Sequence, residues 1–191
     1  MVQAIARQSL KRSSGLAEFG ETFETRLTSL ARAHAVLTQN AWTGANIRVL
    51  LVDQLAPFDE SRISLWGSNL PLDPNAAYVV ALLVHELAVN AHKYGSLSSP
   101  TGDVLLTWSF DPADDALNLE WLERGGPPVQ SPQSVGFGTE LIQALAGSGV
   151  ERSGLRYDSL GFVCKLRIPL ARSQQESART RRGDVLLHEY H

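Results

Sequence analysis

Apolar and polar positions at the start of the chain follow a helical rhythm. From Val2 to about Leu10, and again from Leu16 to about Leu37, the spacing is that of amphipathic helices. In the second segment Phe19, Phe23, Leu27, Leu30, His34 and Leu37 fall on one stripe. Ser13, Ser14 and Gly15 break the chain between the two, which predicts a helical hairpin. A hairpin this small cannot bury both stripes alone, so it either pairs with a second copy or leans on the rest of the chain.

The pattern then becomes mixed. Thr43 to Leu55 reads as a helix closed by Pro57, and Arg62 to Trp66 (RISLW) as a short strand with which Asn69 to Leu72 could pair. Asp73 followed by Pro74 is an N-cap with proline at the first helical position. The helix they open runs to Tyr94, with Gly95 as its stop. In the following strands Val104, Leu106, Trp108 and Phe110 share one face, as do Leu117, Leu119, Trp121 and Glu123. Phe137 to Ala146 is a helix after a loop rich in Gly and Pro. Strands near Val150 to Tyr157 and Phe162 to Ile168 close the domain, with Phe162, Cys164, Leu166 and Ile168 inward. The expected fold is α+β: a two-layer sandwich of one mixed sheet covered by helices on one face, preceded by the hairpin. The boundaries fall at 1–40 for the hairpin, 41–170 for the sandwich and 171–191 for a tail that opens with SQQESARTRR, too polar to fold alone.

Composition narrows the function classes. At 191 residues and 43% hydrophobic the chain can bury one good core. A net charge of -3 gives no broad cationic field, so neither nucleic acid nor an acidic membrane is an expected partner. The longest apolar run, Ala76 to Val84, is too short to span a bilayer, and MVQAIARQSLKRSSG lacks the pattern of a signal peptide. A cytoplasmic location without membrane contact by this chain is expected. The lone Cys164 excludes an internal disulfide framework and a cysteine-based metal cluster, and reads as a small buried hydrophobe.

Candidate chemistry begins at His85 to Gly95, HELAVNAHKYG. At about 100° per residue, Ala77, Val80, Ala81, Val84, Leu87, Ala88 and Ala91 form the core stripe. Glu86, Asn90 and Lys93 stand in one row opposite it, with His85 on the flank. Taken alone this row is an ordinary solvated face, but Val79, Leu82 and Leu83 lie on the same side, so the row reads as the edge of a cleft. WLERGGPPV then ends a strand with Trp121 and Glu123 inward, and a carboxylate there is costly unless something bonds to it. Gly125 and Gly126 follow, where a backbone lacking Cβ lets a ligand approach. GFGTELIQAL (Gly136 to Leu145) is a glycine loop running into a helix, whose free N–H groups suit phosphate.

Taken in order, these segments resemble the nucleotide-binding (Bergerat-type) domain of the GHKL ATPase superfamily. More narrowly they resemble the HWE group of bacterial sensor histidine kinases, marked by a His in the N box, here His85, and a Trp-x-Glu in the first glycine box, here Trp121 and Glu123. AIARQSL, FETRLTSLARAHAVL, WTGANIRVLL and HKYGSLSSPTG read like the same group, so the resemblance covers most of Met1 to Leu170. It implies ATP and Mg²⁺ as ligands. Asn90 is similar to the residue whose side-chain oxygen binds Mg²⁺. Glu86 looks like the carboxylate that polarises the attacking group. Lys93 would bring charge to the phosphates, and Tyr94 would pack near the base. Glu123 would accept from the adenine amino group. Gly125 and Gly126 would make room for the nucleotide, and Gly136, Phe137, Gly138 and Thr139 would line it, the two glycines hinging a lid over Pro127 to Val135. His85 and Trp121 would support the site.

In that family the acceptor histidine lies in a segment like HRxKNTLAxVQAIA, and this chain begins at MVQAIA, about two helical turns later. His34 falls on the apolar stripe and reads as scaffold. The resemblance therefore implies a kinase core that phosphorylates an upstream histidine for relay to a response-regulator receiver domain, as a homodimer through the N-terminal helices. The alternative is a non-catalytic dimeric scaffold with a kinase-like fold. A GHKL ATPase or Ser/Thr kinase of another branch fits less well, given the Trp-x-Glu box and the hairpin.

Overall fold

A computed structural model of the chain describes residues 2–39, 44–128, 151–158 and 161–170. The helix expected at Phe137 to Ala146, the loop carrying Gly136, Phe137, Gly138 and Thr139, most of the lid, and the tail lie outside the described residues.

The hairpin consists of α1 (Val2–Arg12) and α2 (Leu16–Gln39). Its turn is closed where the Ser14 backbone N–H and hydroxyl both donate to Glu18 Oε2, at 2.7 and 2.6 Å. There follow β1 (Ala45–Asn46), α3 (Ile47–Leu55), β2 (Ile63–Trp66), β3 (Pro71–Leu72) and α4 (Pro74–Lys93), then β4 (Asp103–Asp111), β5 (Ala116–Arg124), β6 (Glu151–Asp158) and β7 (Gly161–Pro169). The main sheet has five strands in the order β2-β4-β5-β7-β6. β2 runs parallel to β4 and the other neighbours pair antiparallel, so the sheet is mixed. Alternation along the strands sends Val104, Leu106 and Trp108 of β4, Leu117, Leu119 and Trp121 of β5, and Cys164, Leu166 and Ile168 of β7 inward. They join Val80, Val84 and Leu87 of α4 in one core. The fold is α+β, a mixed sheet with helices laid on it.

α4 begins as its sequence predicts: Asp73 Oδ1 accepts from the Asn75 and Ala76 N–H groups at 2.9 and 3.1 Å, with Pro74 at the first position. α3 starts later than expected, at Ile47 rather than Thr43. Asn46 caps it, its side chain accepting from Arg48 N at 3.0 Å, which frees Ala45 and Asn46 to extend. They pair with Leu72 and Pro71, so β3 does not add to RISLW as expected; that segment pairs with β4 instead.

The hairpin leans on the rest of the chain, and its buried stripe is rotated from the expected one. Arg26, Ser29, Ala33, Val36 and Leu37 are the buried residues of α2, while His34 is exposed and Leu27 is 39% exposed. Small side chains at Ser29 and Ala33 permit close approach, and polar groups on α3 and α4 draw this line inward. Ser29 Oγ donates to Gln54 Oε1 at 2.7 Å, and Arg32 Nη1 to the Asp53 carbonyl at 2.9 Å. Phe23 and Leu30 still pack partly against the core, and Phe19 stacks on Phe23 at 5.6 Å. Phe110, expected inward, is 40% exposed, one position from the end of β4.

Two glycines mark opposite local situations. A Cβ at Gly102 would overlap the Ser96 carbonyl oxygen, whereas one at Gly20, inside α2, meets nothing within 4 Å. Gly102→Ala is expected to destabilise by about 1–3 kcal/mol through overpacking. Gly20→Ala is expected to stabilise by about 0.5–1 kcal/mol by restricting the unfolded chain. Urea denaturation midpoints of the two variants check both signs.

Candidate functional site

The inward end of β5 meets the turn that follows α4. Glu123, 4% exposed, accepts from the Ser96 backbone N–H through Oε2 at 2.8 Å and from the Trp121 indole N–H through Oε1 at 3.0 Å. The Trp-x-Glu spacing puts both side chains on one face of the strand, so the indole can reach the carboxylate. Burial pushes the Glu123 carboxyl above its ordinary range, and the N–H donors oppose that rise.

The turn is packed without spare room. Gly95 has φ -107°, an ordinary backbone conformation, so glycine is required there for space: a Cβ would overlap a Glu123 carboxylate oxygen and come within 2.9 Å of the Ala91 Cα. A Cβ at Gly126 would lie 2.7 Å from the Ser96 Cα, and one at Gly125, with φ +67°, 3.0 Å from the Thr101 carbonyl oxygen. The absent side chains of Gly125 and Gly126 thus let the protein's own 95–102 segment close on β5. Arg62 ties down the same segment, donating to the carbonyls of Ser99, Gly102 and Leu97. At the other side of the turn the Asn90 carbonyl accepts from Tyr94 N at 2.8 Å and Gly95 N at 3.1 Å. A continuous run of contacts therefore joins the last turn of α4 to Glu123.

The polar row of α4 faces α2. Glu86, expected on the open side of the helix, is 6% exposed because α2 covers it. Arg26 Nε donates to Glu86 Oε1 at 2.7 Å, Nη2 to Oε2 at 3.3 Å, and Nη1 to Ser9 Oγ of α1 at 2.7 Å. Farther along, Lys93 Nζ lies 3.7 Å from Glu21 Oε1. Residue numbers rise along α2 as they fall along α4 in these pairs, so the helices run antiparallel. Between them and the end of α3 lies an open cleft of about 970 Å³, lined by Arg26, Arg32, Phe58, His85, Asn90 and Tyr94 among others. His85 is 7% exposed and its Nε2 has no hydrogen-bond partner among the described residues. Desolvation, then the positive Arg26 and Arg32, push its pKa down to about 4, so the imidazole is neutral at pH 7.

Asn90, Lys93 and Tyr94 are exposed, with Tyr94 75% accessible. The Asn90 carboxamide is the hard oxygen on this wall suited to Mg²⁺, which keeps several waters and takes few protein oxygens when it carries phosphates. An exposed carboxamide at a cleft edge fits that requirement; Glu86, bonded to Arg26, does not offer itself in this arrangement. Among the described residues no group of three or more His, Cys, Asp or Glu side chains could hold a metal ion. No helix there is long and apolar enough to cross a membrane. Sequence reasoning overlooked Arg26, Arg62 and Ser96. Arg26 carries a usable signal, a long cation one turn from both Phe23 and Leu30 on a helix that must dock somewhere; Ser96 acts through its backbone and carries none.

Residues 1–69 match the HWE histidine kinase family. The chain is 34% identical over 176 residues to the blue-light-activated histidine kinases of Brucella ovis and Brucella abortus, an overlap of 89% of this chain and 36% of those proteins. It therefore spans about a third of the length of the curated relatives it matches. Among solved structures it resembles the histidine kinase domain of Erythrobacter litoralis EL346 blue-light activated histidine kinase, with a TM-score of 0.62 at 17% identity over 89% of this chain and 82% of that one. A longer structure of the same Erythrobacter litoralis protein gives 0.66 at 16% identity, over 91% of this chain and 59% of that one. At these identities the likeness establishes the fold.

Two stability outcomes follow from the buried groups. Arg26→Met removes the guanidinium from a buried carboxylate and is expected to cost about 3–5 kcal/mol, most of it recovered in Arg26→Met/Glu86→Leu; urea denaturation of single and double variants checks this. His85 is depressed from 6.5 to about 4, so the unfolded chain binds the extra proton between those values. Its contribution, about 3 kcal/mol, is present above pH 6.5 and lost as pH falls toward 4. His85→Phe should flatten that part of the stability–pH curve; an unchanged curve would show that His85 titrates normally in the folded protein.

Proposed function

We propose that the chain, whose residues 1–69 match the HWE histidine kinase family, is the ATP-binding catalytic region of a two-component sensor kinase. In this reading residues 41–170 bind Mg-ATP, and the γ-phosphoryl group passes to a histidine upstream of α1, for relay to an aspartate of a response-regulator receiver domain. Residues 1–40 belong to the dimerisation and phosphotransfer region, and the protein works in the cytoplasm as a homodimer. Exposed apolar side chains on the hairpin, Leu10 at 62% and Leu16 at 85%, support an association there.

The observation that carries the reading is the junction of α4 with β5. Asn90, whose carboxamide would hold Mg²⁺, and Glu123, whose carboxylate would accept from the adenine amino group, are linked through the Gly95 and Ser96 amides. Lys93 and Tyr94 lie on the exposed turn between them and would meet phosphate and base. Gly136, Phe137, Gly138 and Thr139 would complete the site from the lid side, and His85 would brace it from beneath. Mg²⁺ supplies charge neutralisation across the phosphates when bound, and transfer through a loose transition state asks the protein mainly to position and stabilise charge. Glu86 would orient the attacking group once Arg26 releases it.

One observation favours a second reading, a non-catalytic scaffold: α2 holds Glu86 through Arg26 and lies beside Lys93 through Glu21, engaging both charged ends of the polar row. Fluorescent ATP titrations with and without Mg²⁺ separate the two. The kinase reading expects micromolar-range binding that Asn90→Ala weakens by at least tenfold and that loses most of its Mg²⁺ dependence in that variant. Absence of nucleotide binding by the unaltered chain supports the scaffold. Incubation with γ-labelled ATP is expected to leave the chain unlabelled; label that disappears in His34→Ala would contradict the assignment of the acceptor to an upstream histidine.

A further inference from the structure

We propose that Trp121 is a positioning residue that sets the base selectivity of the site, by holding the Glu123 carboxylate in the orientation from which it accepts an exocyclic amino group. The inference rests on the nucleotide-binding reading above. An ionised carboxylate offers about four acceptor positions, and two here are filled by the Ser96 and Trp121 N–H groups, one on each oxygen. A glutamate has one more rotatable bond than an aspartate and would sample several orientations at a strand end. With each oxygen tethered to a different donor, the carboxylate plane is fixed.

Of the two donors, Trp121 is the one belonging to the sheet. It is 0% exposed, opposes Leu106 of β4 and Cys164 of β7 in register, and cannot move without disturbing both neighbours. The indole nitrogen donates and never accepts. It therefore favours the ionised, purely accepting form of Glu123 against the protonated form, which could donate to a base carbonyl instead. Burial drives the carboxyl toward the protonated form, and the indole contact opposes that drive. An accepting carboxylate welcomes a base bearing an amino group and repels one bearing a carbonyl oxygen in its place. Loss of the indole N–H leaves the Ser96 backbone N–H as the other donor and lets the carboxylate turn or take up a proton.

The test is the ratio of dissociation constants for ATP, GTP and purine riboside 5′-triphosphate, the last lacking the amino group. The unaltered chain is expected to prefer ATP to each competitor by about 10–100-fold, the range for one hydrogen bond to a charged group. Trp121→Phe should lower that preference about tenfold, and Trp121→Phe/Glu123→Ala should be no less selective than Glu123→Ala alone. Should Trp121→Phe fold poorly by circular dichroism, 3-benzothienyl-alanine at position 121 keeps the bicyclic ring and removes only the N–H. Equal weakening of all three nucleotides, with the ratios kept, would show that Trp121 acts by packing and overturn the inference while leaving nucleotide binding intact. Equal affinities in the unaltered chain would remove Glu123 from base recognition and the inference with it. No binding of any nucleotide would overturn the functional reading and this inference together.

Discussion

Glu123 carries a carboxylate out of water at the inward end of β5, and the surrounding architecture supplies what that burial demands. Burying an ion without donors costs several kcal/mol, so a strand can end this way only if the chain brings N–H groups to the spot. One donor comes from two residues back along the same strand, the Trp121 indole. The other comes from the backbone of Ser96, 27 residues earlier, at the end of the turn that leaves α4. Meeting the second requirement fixes where α4 must end relative to the sheet. The glycines at 95, 102 and 126 follow from it, since each lies where a Cβ would strike the backbone or carboxylate that makes the closure. Arg62 completes it by gathering carbonyls of the same turn.

A second buried charge acts on the other side of α4. The Arg26–Glu86 pair, with side chains 6% and 8% exposed, lies between α2 and α4. Buried ion pairs are poor sources of net stability but specify geometry, because a slip of one residue leaves both charges uncompensated. This pair and Ser29–Gln54 together explain why α2 settles with a polar line inward rather than with the stripe that hydrophobicity alone selects. The same contact places the hairpin over the polar row of α4, so the position of α2 and the availability of Glu86 are one question.

Much of the fold was legible because its elements carry strong local signals. Asp73-Pro74 announced α4, and strict alternation announced β4, β5 and β7 with their inward faces. Glu123 was legible as a problem, a charged residue on an apolar face, before its partners were known. The misses share a physical cause, which is that long-range contacts overrode local pattern. The stripe on α2 was chosen by an ion pair across 60 residues, and the start of α3 by a cap that freed Ala45 and Asn46 to pair with β3. Glycines 125 and 126 were recognisable as places where something comes close; the sequence could not say that the Ser96 turn is one of the things that does. Backbone donors such as Ser96 N–H leave no trace in residue identity at all.

In the proposed function the last turn of α4 and the end of β5 form a single site around one ligand. A crystal structure of the chain with Mg²⁺ and a non-hydrolysable ATP analogue measures this directly. The Asn90 carboxamide oxygen should coordinate the metal while the Glu123 carboxylate, still bonded to Trp121 and Ser96, accepts from the adenine of the same molecule. A nucleotide bound with its base remote from Glu123, or its metal remote from Asn90, would contradict it.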